Sequence, residues 1–464
     1  MEKNQLWTLL RTFTKRELRD GRQFLDLQAV NRRDDVRTLY DALAASLVRE
    51  LPPERKTVYA LVFPNATSYD DQAFRLVQSY LYKCLERFLV WRECEATADI
   101  ADPLLLRAYR RRGLDRHLQR TLRRQATADR RRPIANAETL IARHLRERER
   151  ATQLARGGRA QELNLQTVED SLDHAFWAYK LRQACFTRSH ESVFDTRYAP
   201  RHLDAILQAA ATDETPAVAV YHAGYTALFG APSDTAFERF QSLLQTHAAR
   251  FPAAEARSLY LLALNYCIRR INANDDPYRR AAFDLYRTGI ASGALLEQGI
   301  ISRFTFANVV GIALRLGELD WTAAFVNDYA AALSDAHRVP TVAFTRARLA
   351  FARCAFNEVL THLQSADTKD PINAMNARIL QLKVYHETAE RELFGHHLRT
   401  TRQFVRRHAR SYHHELWRNI LRYMKQLHRL NPHDRAERDA LRAAIMAEPQ
   451  LMERAWLLEA LENS

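Results

Sequence analysis

The residue types best suited to chemistry are gathered near the C-terminus, where His396, His397, His408, His413 and His414 crowd one helical pair. Imidazoles hold zinc from a helix when they sit at i, i+4, with a fixed partner behind each ring. No such spacing occurs here, adjacent histidines point about 100° apart on a helix, and the surrounding arginines repel a dication, so no metal site is expected. The five cysteines, Cys84, Cys94, Cys185, Cys267 and Cys354, are odd in number, form no CxxC pair and each fall in an apolar helical pattern. That usage fits a reducing compartment and inert buried thiols, with Cys185 and Cys354 read as core fillers rather than nucleophiles. No GxSxG elbow, phosphate loop or other local catalytic motif is present. The sequence therefore points to no catalytic residue, no cofactor and no enzyme.

Charge is the stronger signal. The chain carries +14 overall, unevenly spread. Residues 107–159 hold 17 arginines against 5 acids, and residues 396–435 hold 10 cations against 2, so the remainder is mildly acidic. Arg116, Arg120 and Arg124 form one helical stripe, and Leu114, Leu118 and Leu122 form an apolar stripe on another side. Two readings stay open: a phosphate-gripping row, or the solvated outer face of a helical hairpin that meets an acidic protein. Arginine preference itself decides nothing, because a GC-rich genome produces it without selection for phosphate. Tyr109 is the only aromatic between 92 and 175, which removes the stacking platform of single-strand binders. Lys180 and Arg182, between apolar positions of "YKLRQAC", are further candidates to anchor an acidic ligand, or a pair snorkelling on a helix shoulder.

Low glycine (12) and proline (14) contents in 464 residues, with abundant Ala, Leu and Arg, dictate an all-α fold. Three domains are expected: an N-terminal helical domain over 1–97, a basic helical hairpin or connector over 98–160, and helix pairs over 161–464. In the first, Thr14 followed by Glu17 predicts a capping box. Leu18, Phe24, Leu25 and Leu27 share a helical face, as do Val36, Leu39, Tyr40, Leu43 and Leu47. Pro52 and Pro53 should end that second helix, and Phe74, Val77, Leu81, Leu85 and Phe88 mark a long one over 70–92. In the connector, Pro133 and the glycines 157 and 158 separate a helix over 137–156, with Leu140, Ile141, Leu145 and Leu154 inside and "RERER" (146–150) outside. Leu172, Ala175, Phe176 and Tyr179 form the next apolar face. Pairs follow at 201–229, 233–271, 277–316, 319–352, 355–389 and 390–430.

The segments "LRLGELDWTAAFVNDYAAAL", "AFARCAFNEVLTHLQSA" and "YHETAERELFGHHLRTTRQF" align at Gly317, Cys354 and Ala389, with a small turn residue and then an apolar face. They resemble the tetratricopeptide repeat, which implies an α-α superhelix of antiparallel pairs. Upstream turns at Gly230 and Asn274 are spaced more widely, and the consensus proline has a loose counterpart in Pro252. The short helix, turn and long helix before residue 92 resemble the helix-turn-helix of transcriptional regulators, but no wing follows. That helix carries only Arg75, Lys83, Arg87 and Arg92, so a packing domain is expected there. Over its whole length the chain resembles an uncharacterised Bacteroidetes group of helical proteins, through "LLRTFTKREL", "YKLRQAC", "NYCIRRIN" and "FTFANVVGIALRLGELDW"; that resemblance implies no activity.

No apolar leader, membrane span or lipidation signal is read in the sequence, so a soluble cytoplasmic protein is expected. The function expected is a non-enzymatic scaffold or adaptor that takes a protein or peptide partner, of acidic character, in a helical-repeat groove. The alternative is a nucleic-acid-associated or regulatory protein using residues 107–159.

Overall fold

The computed structural model describes residues 4–49, 53–131, 136–157, 162–191, 194–231, 233–273, 275–366, 370–409, 413–431 and 433–463. Among them it is all-α, with 23 α-helices and one two-stranded ribbon. Pro52, Pro133, Gly158 and Asn274, expected at breaks and turns, lie outside the described residues. The chain divides into two compact units, 1–179 and 180–464. Both expected boundaries, at 97/98 and 160/161, fall inside the first.

The first unit begins with α1 (Gln5–Leu10), α2 (Lys15–Asp26), α3 (Asp34–Val48), α4 (Arg55–Val62) and α5 (Asp71–Ala96). The capping box opens α2 as the spacing requires. The Thr14 side chain accepts from the Glu17 amide, and Glu17 accepts from the Thr14 amide at 2.7 Å. The Thr14 amide and hydroxyl, both donating to the Glu17 carboxylate, hold it below its ordinary range. Phe74, Val77, Leu81, Leu85 and Phe88 are all buried along α5, as are Val36, Leu39, Tyr40 and Leu43 on α3. Together with Leu6, Trp7 and Leu10 of α1, most of these side chains form one core. Leu27 departs from expectation: it is the extended residue that ends α2, and it is exposed. The cations of α5 are largely consumed within the unit. Arg75 pairs with Asp71, Arg92 with Asp20 and Glu17, and Arg87 donates to the carbonyls of Ala29 and Val30.

The unit continues through α6 (Ala98–Arg111), α7 (Asp115–Arg131), α8 (Ala137–Leu154) and the start of α9 (Leu165–Glu191). Two expectations fail here. Leu114 precedes α7 and is exposed, and the buried side of that helix is Leu118, Thr121 and Gln125. In "RERER", Arg146 and Glu149 are buried rather than outward. Arg146 reaches Asp129 at 2.8 Å and Arg110 reaches Glu149 at 2.5 Å, tying α8 to α7 and α6. Hydropathy assigns charged residues to the surface, but opposite charges on facing helices share a partly dry interface when each finds its partner. In α9 the buried face is Ala175, Ala178, Leu181, Ala184 and Cys185, while Leu172 and Phe176 are exposed.

The second unit holds α10 (Leu203–Ala209), α11 (Pro216–Phe229), α12 (Asp234–His247), α13 (Ala253–Asn272), α14 (Pro277–Ala291), β1 (Leu296–Glu297), β2 (Ile300–Ile301), α15 (Arg303–Arg315), α16 (Leu319–Tyr329), α17 (Asp335–Ala352), α18 (Phe356–Leu363), α19 (Pro371–Glu387), α20 (Arg391–Arg407), α21 (His414–Arg429), α22 (Arg435–Ala447) and α23 (Arg454–Glu462). Each expected pair contains two helices, but the closest packing is shifted by one. It joins α11 to α12, α13 to α14, α17 to α18 and α19 to α20. The links inside these hairpins are three or four residues long, which forces the helices to lie antiparallel side by side. In addition α17 packs against both α15 and α19.

The turn alignment is carried through to geometry. Gly317, Cys354 and Ala389 have φ of +75°, +57° and +56°. In each case the next amide reaches back to the carbonyl five residues earlier: Glu318 to Ala313, Ala355 to Ala350 and Glu390 to Tyr385, at 2.9–3.0 Å. This is the bond of a Schellman C-cap. Gly230 works differently. Its φ is −80°, and a Cβ there would sit 2.5 Å from the Thr226 carbonyl oxygen, so close approach rather than left-handed backbone demands glycine.

Candidate functional site

The second unit holds a cleft of about 550 Å³ walled by α13, the start of α14, α15, α17 and the start of α19. Along α15, Phe304, Asn308, Gly311, Ile312 and Arg315 face it, which is the i, i+4, i+7, i+8, i+11 face of a single helix. Opposite them stand Phe344 and Arg348 of α17, with Ile372 from the first turn of α19. That turn is fixed by Asp370, whose carboxylate accepts from the amides of Ile372 (2.8 Å) and Asn373 (3.3 Å).

Its electrostatics are one-sided. Arg279, Arg303, Arg315, Arg348 and His337 line the cleft, and Asp370 is the single acid among the lining residues. Arg279 is paired with Asp276 at 2.8 Å. Arg303 approaches Asp370 only at 4.0 Å and lies over the Phe304 ring at 4.8 Å, where the exposed aromatic face attracts its charge. Arg348 sits against α15 where Gly311 leaves room: a Cβ at Gly311 would be 3.3 Å from its Nη2. Burial, with the like charge of Arg315 beside it, pulls the Arg348 guanidinium below its ordinary pKa, and Glu453 opposes that shift. Glu453 is committed elsewhere, bonded at 2.9 Å to Lys383, whose ammonium lies between the Phe351 and Trp456 rings. Preorganised cations beside apolar and aromatic walls suit an anionic group carried on a partly apolar ligand.

None of the sequence-level candidates is among the residues lining this cleft. Arg116 and Arg120 are exposed on α7 and have no partner among the described residues, and Arg124 approaches Asp102 at 3.8 Å. They belong to the first unit, whereas Lys180 and Arg182 belong to the second. Lys180 is half-buried. Arg182 is largely consumed, 3.4 Å from Glu255, which also accepts from the buried Tyr221 hydroxyl at 2.7 Å.

Three of the five clustered histidines are engaged in ring packing. His397 sits edge-on to Tyr385, His408 against Phe404 and His413 against Trp417. Burial lowers the His397 pKa to about 4. Among the described residues no group of three or more His, Cys, Asp or Glu side chains is placed to hold a metal ion. All five cysteines are free. Cys185 is buried, with burial pushing its thiol up, and the Cys267 thiol is pushed up to about 12. Cys354 is not the core filler expected: it is exposed at its left-handed turn, because a helix C-cap faces solvent. No described helix is long and apolar enough to cross a membrane.

The arginines of the cleft were missed because they are isolated in sequence rather than clustered. One signal was legible: Gly311 interrupts the helical run "FANVVGIALR", where glycine costs about 1 kcal/mol relative to alanine and so marks a need for space. Comparison with protein-family models, with curated proteins and with solved structures finds no match to this chain. The likenesses to tetratricopeptide repeats and to the Bacteroidetes group therefore rest on the residues quoted above.

Proposed function

We propose that this chain is a non-enzymatic adaptor of the cytoplasm whose C-terminal helical hairpins, stacked in the manner of tetratricopeptide repeats, hold an acidic segment of a protein partner. The observation that carries this reading is the arginine cleft, whose walls come mainly from α13, α15, α17 and α19, alternate helices along the chain, three of which open a hairpin. Stacked hairpins present such inner helices as a continuous surface, and a groove of this kind binds an extended or helical peptide through side chains alone. Five free thiols support a reducing compartment.

A pool of short peptides rich in Asp, Glu, Leu and Phe, followed by fluorescence polarisation, tests the reading. Micromolar binding that weakens with salt is expected, reduced about tenfold by Arg303→Glu. Equal affinity for a matched Lys-containing pool would overturn it. A second reading, association with nucleic acid through α7, is favoured by one observation, the exposed Arg116 and Arg120, which have no partner among the described residues. The same assay with duplex DNA separates the two.

A further inference from the structure

We infer that the part of the cleft where Arg348 lies over Gly311 beside Arg315 is a phosphoryl subsite, which receives the phosphorylated side chain of a partner peptide while a neighbouring apolar side chain lies against Phe304, Ile312 and Phe344. The inference rests on the adaptor reading and narrows its partner. It begins from unbalanced charge. Arg279 has Asp276, and Arg303 has Asp370 and an aromatic ring. Arg315 and Arg348 have no hydrogen bond or ion pair among the described residues, and the acid that acts on both, Glu453, is bonded to Lys383. Guanidinium groups stay protonated even when desolvated. Two of them near enough to repel each other leave an excess close to two positive charges at one place.

A single carboxylate neutralises half of that excess and offers two acceptor oxygens. A phosphoryl monoester carries about −1.5 to −2 charges and three acceptor oxygens, which suits two planar donor forks at once. Gly311 supplies the space. It lies inside α15, and a Cβ there would sit 3.3 Å from the Arg348 Nη2, so a larger side chain would push the guanidinium out of the subsite. The cleft, at about 550 Å³, is far larger than a phosphoryl group requires. The remainder of its wall includes Ile268, Phe304, Ile312, Phe344 and Ile372, which is what an apolar residue next to the phosphorylated position would cover. Free phosphate gains nothing from that wall, so a peptide is the occupant the lining favours.

The test uses the full chain and two peptide pools that differ at one position, phosphoserine or glutamate, each flanked by mixed apolar residues. Fluorescence polarisation should show the phosphoserine pool bound at least tenfold more tightly, with inorganic phosphate as a competitor. Arg315 is exposed, so Arg315→Gln should leave the helical circular dichroism unchanged and remove that preference; Gly311→Leu, which fills the space with a good helix former, should do the same. Equal affinity for the two pools, or a preference that survives Arg315→Gln, overturns the phosphoryl subsite and leaves the acidic groove standing. No affinity for either pool overturns the groove, and the subsite with it.

Discussion

Three equivalent turns occupied by three different residues make the backbone itself testable. Gly317, Cys354 and Ala389 adopt the left-handed conformation with the same C-cap bond. Nothing lies within 4 Å of a Cβ built on Gly317, so its replacement costs backbone strain and no clash. That strain is about 1–2 kcal/mol for an L residue, offset by about 0.4–1 kcal/mol because a side chain stiffens the unfolded chain. Gly317→Ala should therefore lose about 0.5–1 kcal/mol, and Gly317→Val, whose branched Cβ resists positive φ, at least about 1 kcal/mol. The reverse changes, Ala389→Gly and Cys354→Gly, should each gain about 0.5 kcal/mol by the same balance. Equilibrium urea unfolding gives the signs, and amide exchange of the peptide spanning α15 and α16 shows whether the Gly317 effect is local. Opposite signs at equivalent positions are hard to obtain from anything except φ. A neutral Gly317→Ala, or an Ala389→Gly protein less stable than the parent, would refute the argument.

Other outcomes follow from the ion pairs and histidines. Arg110→Met strands the buried Glu149 carboxylate and should destabilise the first unit by about 3 kcal/mol, while Arg110→Met with Glu149→Leu should recover most of it, read by urea midpoint. The folded pKa of His397 is depressed to about 4, so its contribution is complete above about 6.5 and is lost as pH falls from there to about 4. His397→Phe should flatten the stability profile in that window by an amount on the order of 2–3 kcal/mol, seen as a smaller drop in melting temperature on acidification. Changing Arg116, Arg120 and Arg124 together to Gln should leave folding intact, since two are unpartnered among the described residues and the third is exposed. On the adaptor reading the wild type shows no steep affinity for duplex DNA. A log–log salt slope near −5, expected for about six phosphate contacts and weakened in the triple variant, would favour the nucleic-acid reading.

Local rules carried the fold a long way. The capping box at Thr14 and Glu17, the buried stripe of α5 and the turns at 317, 354 and 389 are each decided by residues within a few positions, so periodicity and small-residue placement suffice to find them. The failures are tertiary. Nothing near Arg146 or Glu149 in sequence announces that Asp129 and Arg110 will face them, and without those partners both residues would belong in water. The phase of the helix pairs was misjudged for a related reason. Hydropathy locates helices without showing which neighbour lies closer, and link length alone does not show it either, since α15 and α16 are joined by three residues without being a closest pair.

The same distinction explains why density of charge misdirected the search for a site. Within the cluster at 107–159, Arg110 and Arg146 are spent on acids of facing helices, where they hold α6 and α7 to α8, so a run of arginines is not by itself a site. In the cleft the opposite holds. Arg315 and Arg348 sit in two helices of mixed composition, and what makes them available is that no acid on the opposing walls pairs with them among the described residues. A cation becomes a binding residue when the fold leaves it without a counter-charge, and that is a property of the space between helices. Gly311 is the one position where this space writes itself into the sequence, because a helix interior has no reason of its own to accept glycine. Interior helical glycines beside unpaired arginines are accordingly better guides to such a cleft than arginine runs.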